Sequence, residues 1–570
     1  MAGTIGSDRI AVATMLKRLL LLFALLLLPV SAGAQGVISA AEPRGAAAGQ
    51  EILRRGGSAA DAAMATMLAL TVVEPQSSGI GGGGFLLYQN AANGELGTID
   101  GRETAPASAR PDRFLDKDGK PLPFIDAFPG GLSVGVPGNI RLMALAHRKW
   151  GKLPWATLFE PAIRLADKGF VVSPRLEQSI GQVSKLWVDF PEIRKLYAKP
   201  DGTPVKAGTT LRNPTLARTL RMLAKRGPDA FYRGPIAAQI SAAVATAKRN
   251  PTTLSLADLA AYAAKERPPV CARYRIYRVC GMAPPSSGAT TILEMLGLLE
   301  RFDLKAMGPR DPRSWHLIAE AMKLSYADRE KWLGDSDFVT VPITGLLDPA
   351  YLKARSQLIS ADKPLGHYEA GSPPGAPART AAVSGEVPAT THFVAVDEAG
   401  NVATMTSTVE GPFGSQIVAG GFVLNNELTD FTFAPEANGA PIANRVAAGK
   451  RPLSSMAPTI VYDAEGKVVL ALGSAGGKRI IMHVLKTLVG YMDFGLAAKD
   501  AIALPNIYFS ADSTLVEQGT FLADMAPDLS KIDGVVTPSA LTSKVNAIER
   551  TTTGWSGAAD PRGDGVALRE

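Results

Sequence analysis

Apolar residues recur at helical spacing from Ala41 to Val73, with a break at Gly56-Gly57, and predict two helices. Strand patterns follow at Phe85-Leu86-Leu87-Tyr88, after a glycine run, and from Gly97 to Asp100. From Gly138 to about Lys331 the pattern is mostly amphipathic helix, including Trp155 to Lys168 and Ser314 to Trp332. Residues from about Ser360 to Pro388 are rich in Pro, Gly, Ala and Ser and predict a mobile segment open to cleavage at its end. Alternation resumes from Thr391 to Val396, and a turn composition over Asp397-Glu398-Ala399-Gly400-Asn401 joins it to Val402 to Thr408 as a hairpin. If Val396 faces Val402, the register sets Thr390 against Thr408. Later, Phe422 to Phe431 reads as a strand ending in acidic and amide groups. Thr459 to Tyr462 and Val468 to Leu472 read as strands, and Lys478 to Gly490 as a helix.

The hairpin suggests chemistry. A break before Thr390 would make it an N-terminus, with nucleophile and base on one residue, and an α-amine of pKa ~7.7–8.0 is partly neutral near pH 7. In isolation the plainer reading is that Thr390 and Thr391 open a β-branched strand; the surroundings reverse it. Thr408 opposite adds a hydroxyl able to orient the nucleophile, which strand chemistry does not require.

Composition narrows the setting. Arg9, Lys17 and Arg18 precede an apolar run from Leu19 to Val30 and then Ser31-Ala32-Gly33-Ala34, which predicts a signal peptide over residues 1–34. Met15 is a second candidate start, and an uncleaved anchor is the alternative. The run is short for a membrane helix, and no other stretch has that character. The formal charge is +7, about +5 without the leader, and it is diffuse; no basic run with interleaved aromatics suggests nucleic acid. The length prior suggests ~3–4 domains, yet no linker divides the chain.

Cys271 and Cys280 would pair across a turn at Arg275-Ile276, as a disulfide in an exported protein or as two reduced core residues. With five histidines and no metal-ligand spacing, a metal is not expected. Ser78 to Tyr88 contains GxGxxG but leads into a strand, and no GK[ST] is present, which excludes the nucleotide motifs.

Other segments offer polar groups with ordinary alternatives. Arg102 at a strand end could take a carboxylate or a surface ion pair. Acids after Phe422 could hold an ammonium or cap a turn. Ser454 and Ser455 sit on a proline-braced loop. The corner Gly473-Ser474-Ala475-Gly476-Gly477 leaves bare N–H groups at a helix start, suited to an oxyanion or merely to a tight connection.

In chain order, GIGGGGF, GRETAP, APPSSGA, TTH, LNNELTDF, KRPLSSM and GSAGG resemble the γ-glutamyltranspeptidase family over essentially the whole chain beyond the leader. The resemblance implies an α+β fold: the four-layer αββα sandwich of N-terminal nucleophile hydrolases, with two stacked, mainly antiparallel sheets. It implies a precursor that cuts itself before Thr390 into large (35–389) and small (390–570) subunits that stay together as one intertwined domain. Thr390 would take the γ-glutamyl group of a glutathione-like amide and pass it to water, an amino acid or a peptide, with no cofactor. By the same resemblance Gly476 and Gly477 form the oxyanion hole and Thr408 partners Thr390. Arg102, Ser454 and Ser455 take the substrate α-carboxylate, and Glu427 and Asp430 its ammonium. A periplasmic or secreted location follows from the leader.

Three departures stand out. Glu410 replaces an Asn common in the family, so three carboxylates would crowd one ammonium and raise a pKa by repulsion. The connection from Asp430 to Ser454 is shorter and lacks a lid tyrosine, which predicts a more open pocket. GSAGGKR replaces GSPGGSR, which bears on the loop's rigidity. Two competing readings are a glutaryl or cephalosporin-type acylase of the same fold and an uncleaved binding protein.

Overall fold

Two antiparallel sheets lie face to face, and every strand that carries the site is covered on both sides. A computed structural model of the chain describes residues 36–382, 385, 389–510 and 512–570. The expected leader and positions 386–388 lie outside the described residues.

The chain opens with β1 (Val37–Ala40), then helices α1 (Pro43–Arg54) and α2 (Ala59–Val73). Gly56, at φ 81, supplies the expected break. Ser58 and Asp61 form a capping box that starts α2. Strands β2 (Gly83–Gln89) and β3 (Leu96–Gly101) follow. A mostly helical stretch that includes α3 (Pro174–Val183) leads to β4 (Lys265–Glu266) and the hairpin β5 (Val270–Tyr274) and β6 (Tyr277–Gly281). Helices α4 (Gly288–Leu299) and α5 (Pro312–Trp332) precede β7 (Thr391–Val396) and β8 (Val402–Thr408). The chain closes with β9 (Thr459–Tyr462), β10 (Val468–Gly473), α6 (Arg479–Met492), β11 (Asn546–Thr551), β12 (Gly554–Ala559) and β13 (Val566–Arg569).

The first sheet runs β13-β1-β7-β8-β2-β3-β4 and the second β12-β11-β10-β9-β6-β5, with antiparallel neighbours throughout. Helices α1 and α2 cover the outer face of the first sheet, and α4 and α6 that of the second. This is the α+β four-layer sandwich. Along β7 the period of two divides the burial. Phe393 and Ala395 join the core shared with α2, whereas Val394 and Val396 join the core between the sheets. Thr390 and His392 share that inward parity, which points the head of β7 toward the second sheet. Opposite His392 only a glycine fits, since a Cβ on Gly473 would lie 2.3 Å from the imidazole.

The hairpin register is the expected one, with Val396 against Val402 and Thr391 against Ser407. The glycine run before β2 has a packing reason. A Cβ on Gly82 would meet the Thr408 carbonyl oxygen at 1.9 Å and one on Gly81 that of Val423 at 2.0 Å, so bare backbone lets the end of β8 sit close.

Three expectations need correction, and one alternative left open is resolved. From Phe422 onward only Phe422–Val423 is strand, and Glu427–Asp430 is a short 3-10 turn. Asn425 Nδ2 there donates to the Gly81 and Gly135 carbonyls at 2.8 and 3.0 Å, which replaces a ladder with side-chain bonds. Trp155–Phe159 is 3-10 ahead of an α-helix over Glu160–Lys168. Residues 360–382 are tethered to α5 rather than loose. His316 Nε2 lies 3.0 Å from the Ser360 carbonyl, Leu365 N donates to Glu320 at 2.5 Å, and Gly371 N donates to Asp328 at 2.5 Å. The cysteines, left open between two states, form a Cys271–Cys280 disulfide across paired positions of β5 and β6.

Candidate active site

Thr390 heads β7, 5% exposed. Its Oγ1 donates to the Ala389 carbonyl oxygen at 2.6 Å and lies 3.4 Å from Thr408 Oγ1, which in turn donates to the same carbonyl at 3.0 Å. Thr408 Oγ1 also accepts from Glu410 N at 2.8 Å, and Glu410 adopts φ 77, an uncommon conformation for a side-chain-bearing residue. Both hydroxyls therefore converge on the peptide bond expected to break.

One cavity beside Thr390 is lined by Thr408, Arg102, Glu410, Glu427, Asp430, Ser454, Ser455 and Gly477, all expected from the sequence. Gly476 lines a second cavity that also touches Thr390. Gly476 and Gly477 adopt φ 136 and 59, so both positions in this corner favour glycine. Lys478, from the variant GSAGGKR sequence, pairs with Glu330 at 2.6 Å, and Tyr326 Oη donates to its carbonyl at 2.6 Å. These bonds tether the loop where proline is absent.

Arg102 does not stand apart as a lone carboxylate receptor. Its Nη1 pairs with Glu427, its Nη2 with Asp430 at 2.5 Å, and it donates to the Pro452 and Leu453 carbonyls at 3.2 and 2.8 Å. The carboxylate and ammonium groups of the expected site thus form one buried charge cluster. Asn426 Nδ2 donates to the Glu410 carboxylate. The expected rise in a carboxyl pKa is present, with a different leading cause. Burial pushes Glu427 well above the ordinary carboxylate range, Arg102 pulls it down, and repulsion from Glu103 and Glu410 adds to the rise. Glu103, fully buried beside Arg102, is pushed up to about 7 by burial.

Ser454 and Ser455 are positioned by Ser287 of the APPSSGA segment and by Arg329, which the sequence reading passed over. Ser287 N and Oγ donate to the Ser454 carbonyl at 2.7 and 2.8 Å. Arg329 on α5 donates through Nε to Ser287 Oγ at 2.9 Å and through Nη2 to Ser455 Oγ at 2.8 Å. The APPSSGA segment is therefore a brace for the serine loop. In the shorter connection after Asp430, Phe433 stacks on Phe114 with ring centroids 4.5 Å apart.

Lys544, also passed over, is buried beneath the nucleophile. Its Nζ pairs with Glu74 and lies 3.4 Å from the Thr390 carbonyl oxygen, and burial lowers its pKa to about 8. His316 and Glu320 on α5 cluster with Asp533, and the three are already partnered: the Lys323 ammonium sits 2.6 Å from Glu320 and 3.7 Å from Asp533, and His316 Nδ1 lies 2.7 Å from Asp533.

Behind Thr390, His392 sits buried with Nδ1 2.8 Å from Thr406 Oγ1 and Nε2 3.2 Å from Thr404 Oγ1. Burial lowers its pKa to about 3. The unfolded chain takes up this proton near pH 6.5 and the folded one does not, so stability is lost as pH falls from about 6.5 toward 3. His392→Gln is expected to flatten the stability-against-pH curve by about 1.4 kcal/mol per pH unit in that window, measured by urea unfolding at pH 6, 5 and 4.

Comparison with known proteins agrees with this geometry. A family model described as Gamma-glutamyltranspeptidase matches residues 45–569. The chain is 37% identical over 522 residues to the glutathione hydrolase proenzyme of Bacillus subtilis (strain 168), covering 89% of this chain and 85% of that protein. It is 34% identical over 547 residues to the acylase ACY 1 proenzyme of Pseudomonas sp. (strain SE83), covering 94% of each. The solved structure of cephalosporin acylase from Bacillus halodurans superposes with a TM-score of 0.82 at 28% identity, over 94% of this chain and 96% of that one. With a matching family model across nearly its whole length and relatives above 30% identity, the chain belongs to the γ-glutamyltranspeptidase family and is an enzyme of that family.

Proposed function

We propose that the protein is a self-maturing γ-glutamyl hydrolase and transferase acting on glutathione-like amides through Thr390. The observation that carries this reading is the convergence of Thr390 and Thr408 hydroxyls on the Ala389 carbonyl, beside the Arg102–Glu427–Asp430 cluster and the Gly476-Gly477 corner.

In maturation, Thr390 Oγ1 attacks the Ala389 carbonyl carbon. The bond to the Thr390 nitrogen breaks, the hydroxyl proton ends on that nitrogen, and water then cleaves the resulting ester. This yields large and small subunits that remain interlocked, because β7 and β8 lie between β1 and β2 in one sheet. In turnover, Thr390 Oγ1 attacks the γ-carbonyl of the donor, and its proton passes through the α-amine to the departing nitrogen. The N–H groups of Gly476 and Gly477 face the oxyanion. Water or an incoming amine then attacks the ester and releases Thr390. Arg102, Ser454 and Ser455 bind the donor α-carboxylate; Glu410, Glu427 and Asp430 bind its ammonium. Export to the periplasm or beyond belongs to the same proposal and rests on the leader sequence.

A second reading, an acylase taking glutaryl-type side chains, is favoured by the likeness to the two acylases. It needs no ammonium site. Asp430→Asn is therefore expected to lower kcat/KM on a γ-glutamyl anilide by about 100-fold, the order of one charged hydrogen bond lost, and to spare a glutaryl anilide. Equal losses on both substrates would reject the ammonium assignment. Turnover of the glutaryl compound alone would establish the acylase.

A further inference from the structure

In the proposed maturation one atom changes its chemistry. The Thr390 nitrogen is an amide in the intact chain and an amine after cleavage, and turnover needs that amine free of its extra proton. An ordinary α-amine has a pKa of ~7.7–8.0 and is mostly protonated at neutral pH, so its surroundings decide how much of the enzyme is ready to react. Among the described residues, Lys544 is the cation bonded to Thr390 itself, with Nζ 3.4 Å from the carbonyl oxygen.

The residues on both sides of Lys544 hold it in place. Ser543 Oγ donates to Asp560 at 2.5 Å, Val545 N donates to the same carboxylate at 3.2 Å, and Asn546 Nδ2 donates to the His392 carbonyl on β7 at 3.1 Å. Lys544 is thereby turned under the head of β7, buried. Its Nζ also reaches Glu74, just beyond α2, and Ser77 Oγ at 3.4 Å. Because β7 runs between β1 and β8, cleavage before Thr390 leaves the strand and the carbonyl where they are. The other charges around Thr390 lie in its two flanking cavities. Arg175 and Arg479 line one, and Arg102, Glu410, Glu427 and Asp430 the other, where Arg102 is paired with Glu427 and Asp430. Arg175 Nε lies 3.9 Å from Glu74, and Asp564 also acts on Lys544. His392, two residues along β7, stays neutral above its pKa of about 3.

We infer that Lys544 is a positioning residue for acyl transfer: its ammonium, fixed on the Thr390 carbonyl oxygen, keeps the α-amine of the matured enzyme in the neutral, proton-accepting form. The inference rests on the proposed reaction at Thr390. The nitrogen and carbonyl oxygen of one residue lie within about 4 Å by covalent geometry, so the ammonium stands within about 7 Å of the amine. A like charge at that range in a desolvated pocket disfavours the protonated amine by about one pH unit or more, and Glu74, behind Lys544, takes back part of it. Burial brings the Lys544 pKa to about 8, so it still carries its charge from pH 5 to 7, where an unassisted amine would be protonated. The carboxylates of the other cavity act in the opposite sense, which is why a cation on this side matters.

The test is the pH dependence of kcat/KM for the matured enzyme on γ-glutamyl and glutaryl 4-nitroanilides, whose acid limb reads the base of the free enzyme. In the parent the limb is expected near pH 7. Lys544→Met should move it up by about one pH unit, a loss of about tenfold at pH 6 that shrinks toward the plateau. Lys544→Arg keeps the cation and should hold the limb near the parent's. Because Lys544→Met leaves Glu74 buried without its partner, a second variant combines it with Glu74→Gln; with both charges gone, the limb should move up by a smaller step. A limb that stays put in both neutral variants, or moves as far in Lys544→Arg as in Lys544→Met, overturns the inference. So does failure of both neutral variants to mature, which would place Lys544 in folding or self-cleavage instead. Turnover of the glutaryl anilide alone leaves the inference standing, since both reactions use the same amine. Turnover of neither by the parent overturns the proposed function and this inference with it.

Discussion

Thr390→Ala is expected to leave the protein as one persistent chain on a denaturing gel, where the proposed maturation splits the parent into a large fragment and a small one beginning at Thr390. The variant lacks the oxygen that sits 2.6 Å from the Ala389 carbonyl oxygen. It therefore cannot form the ester, and with the bond intact no free α-amine arises to serve as base. Both defects act on the same step, so acyl transfer falls by at least ~10⁴-fold, the order of losing a whole nucleophilic unit. Thr390→Ser restores the oxygen and is expected to mature and turn over, which separates loss of chemistry from misfolding. N-terminal sequencing of the small fragment should read Thr-Thr-His-Phe. If Thr390→Ala still splits at that bond, another nucleophile does the work. If the parent remains one band under conditions of full folding, the uncleaved binding protein is the better reading.

The parts of this site legible in the sequence are those set by local periodicity. Six alternating residues, a five-residue turn and seven more place Thr390 against Thr408 without reference to the rest of the chain. The strand β10, its glycine corner and the helix after it are likewise written in consecutive residues. What the pattern could not carry is partnership across long separations. The acids after Phe422 read as a strand end because their partner, Arg102, is more than 300 residues earlier; the cluster, not β-propensity, bends Glu427–Asp430 into a turn. Lys544 sits in a polar loop before a strand and gains its place beneath Thr390 through Glu74 and Ser77, 470 and 467 residues away. Arg329 reads as one more cation on a helix until Ser287 and Ser455 close on it. The segment 360–382 has a mobile composition, yet buried acids on α5 accept its backbone N–H groups. The seven family segments brought Arg102, the acids and the serines together where periodicity alone could not, but they did not reach Lys544 or Arg329.

Arg102→Gln is expected to cost about 3–5 kcal/mol of stability near pH 7, as removal of one partner from a buried ion cluster does. Arg102 is 1% exposed and faces Glu427, Asp430 and, at 4.0 Å, Glu103. Without the guanidinium these carboxyls repel one another in a desolvated pocket, and each ionises less readily than in water. Their folded pKa values then lie above the unfolded ones. A folded state that binds more protons gains stability as pH falls, so the variant should recover part of its loss between pH 7 and 5. His392 pulls the parent the other way over that window. Urea unfolding at both pH values reads the difference, and equal losses at pH 7 and 5 would mean that packing, not charge, accounts for the effect. Activity separates the roles further. Arg102→Gln combined with Asp430→Asn removes one cation and one anion together and should restore stability, while kcat/KM on a γ-glutamyl anilide stays lower than in either single variant. Because Asp430→Asn alone already lowers activity, the comparison is with that single variant: a purely structural arginine would leave the double variant level with Asp430→Asn, and a further fall at restored stability shows that Arg102 serves the donor as well as the fold.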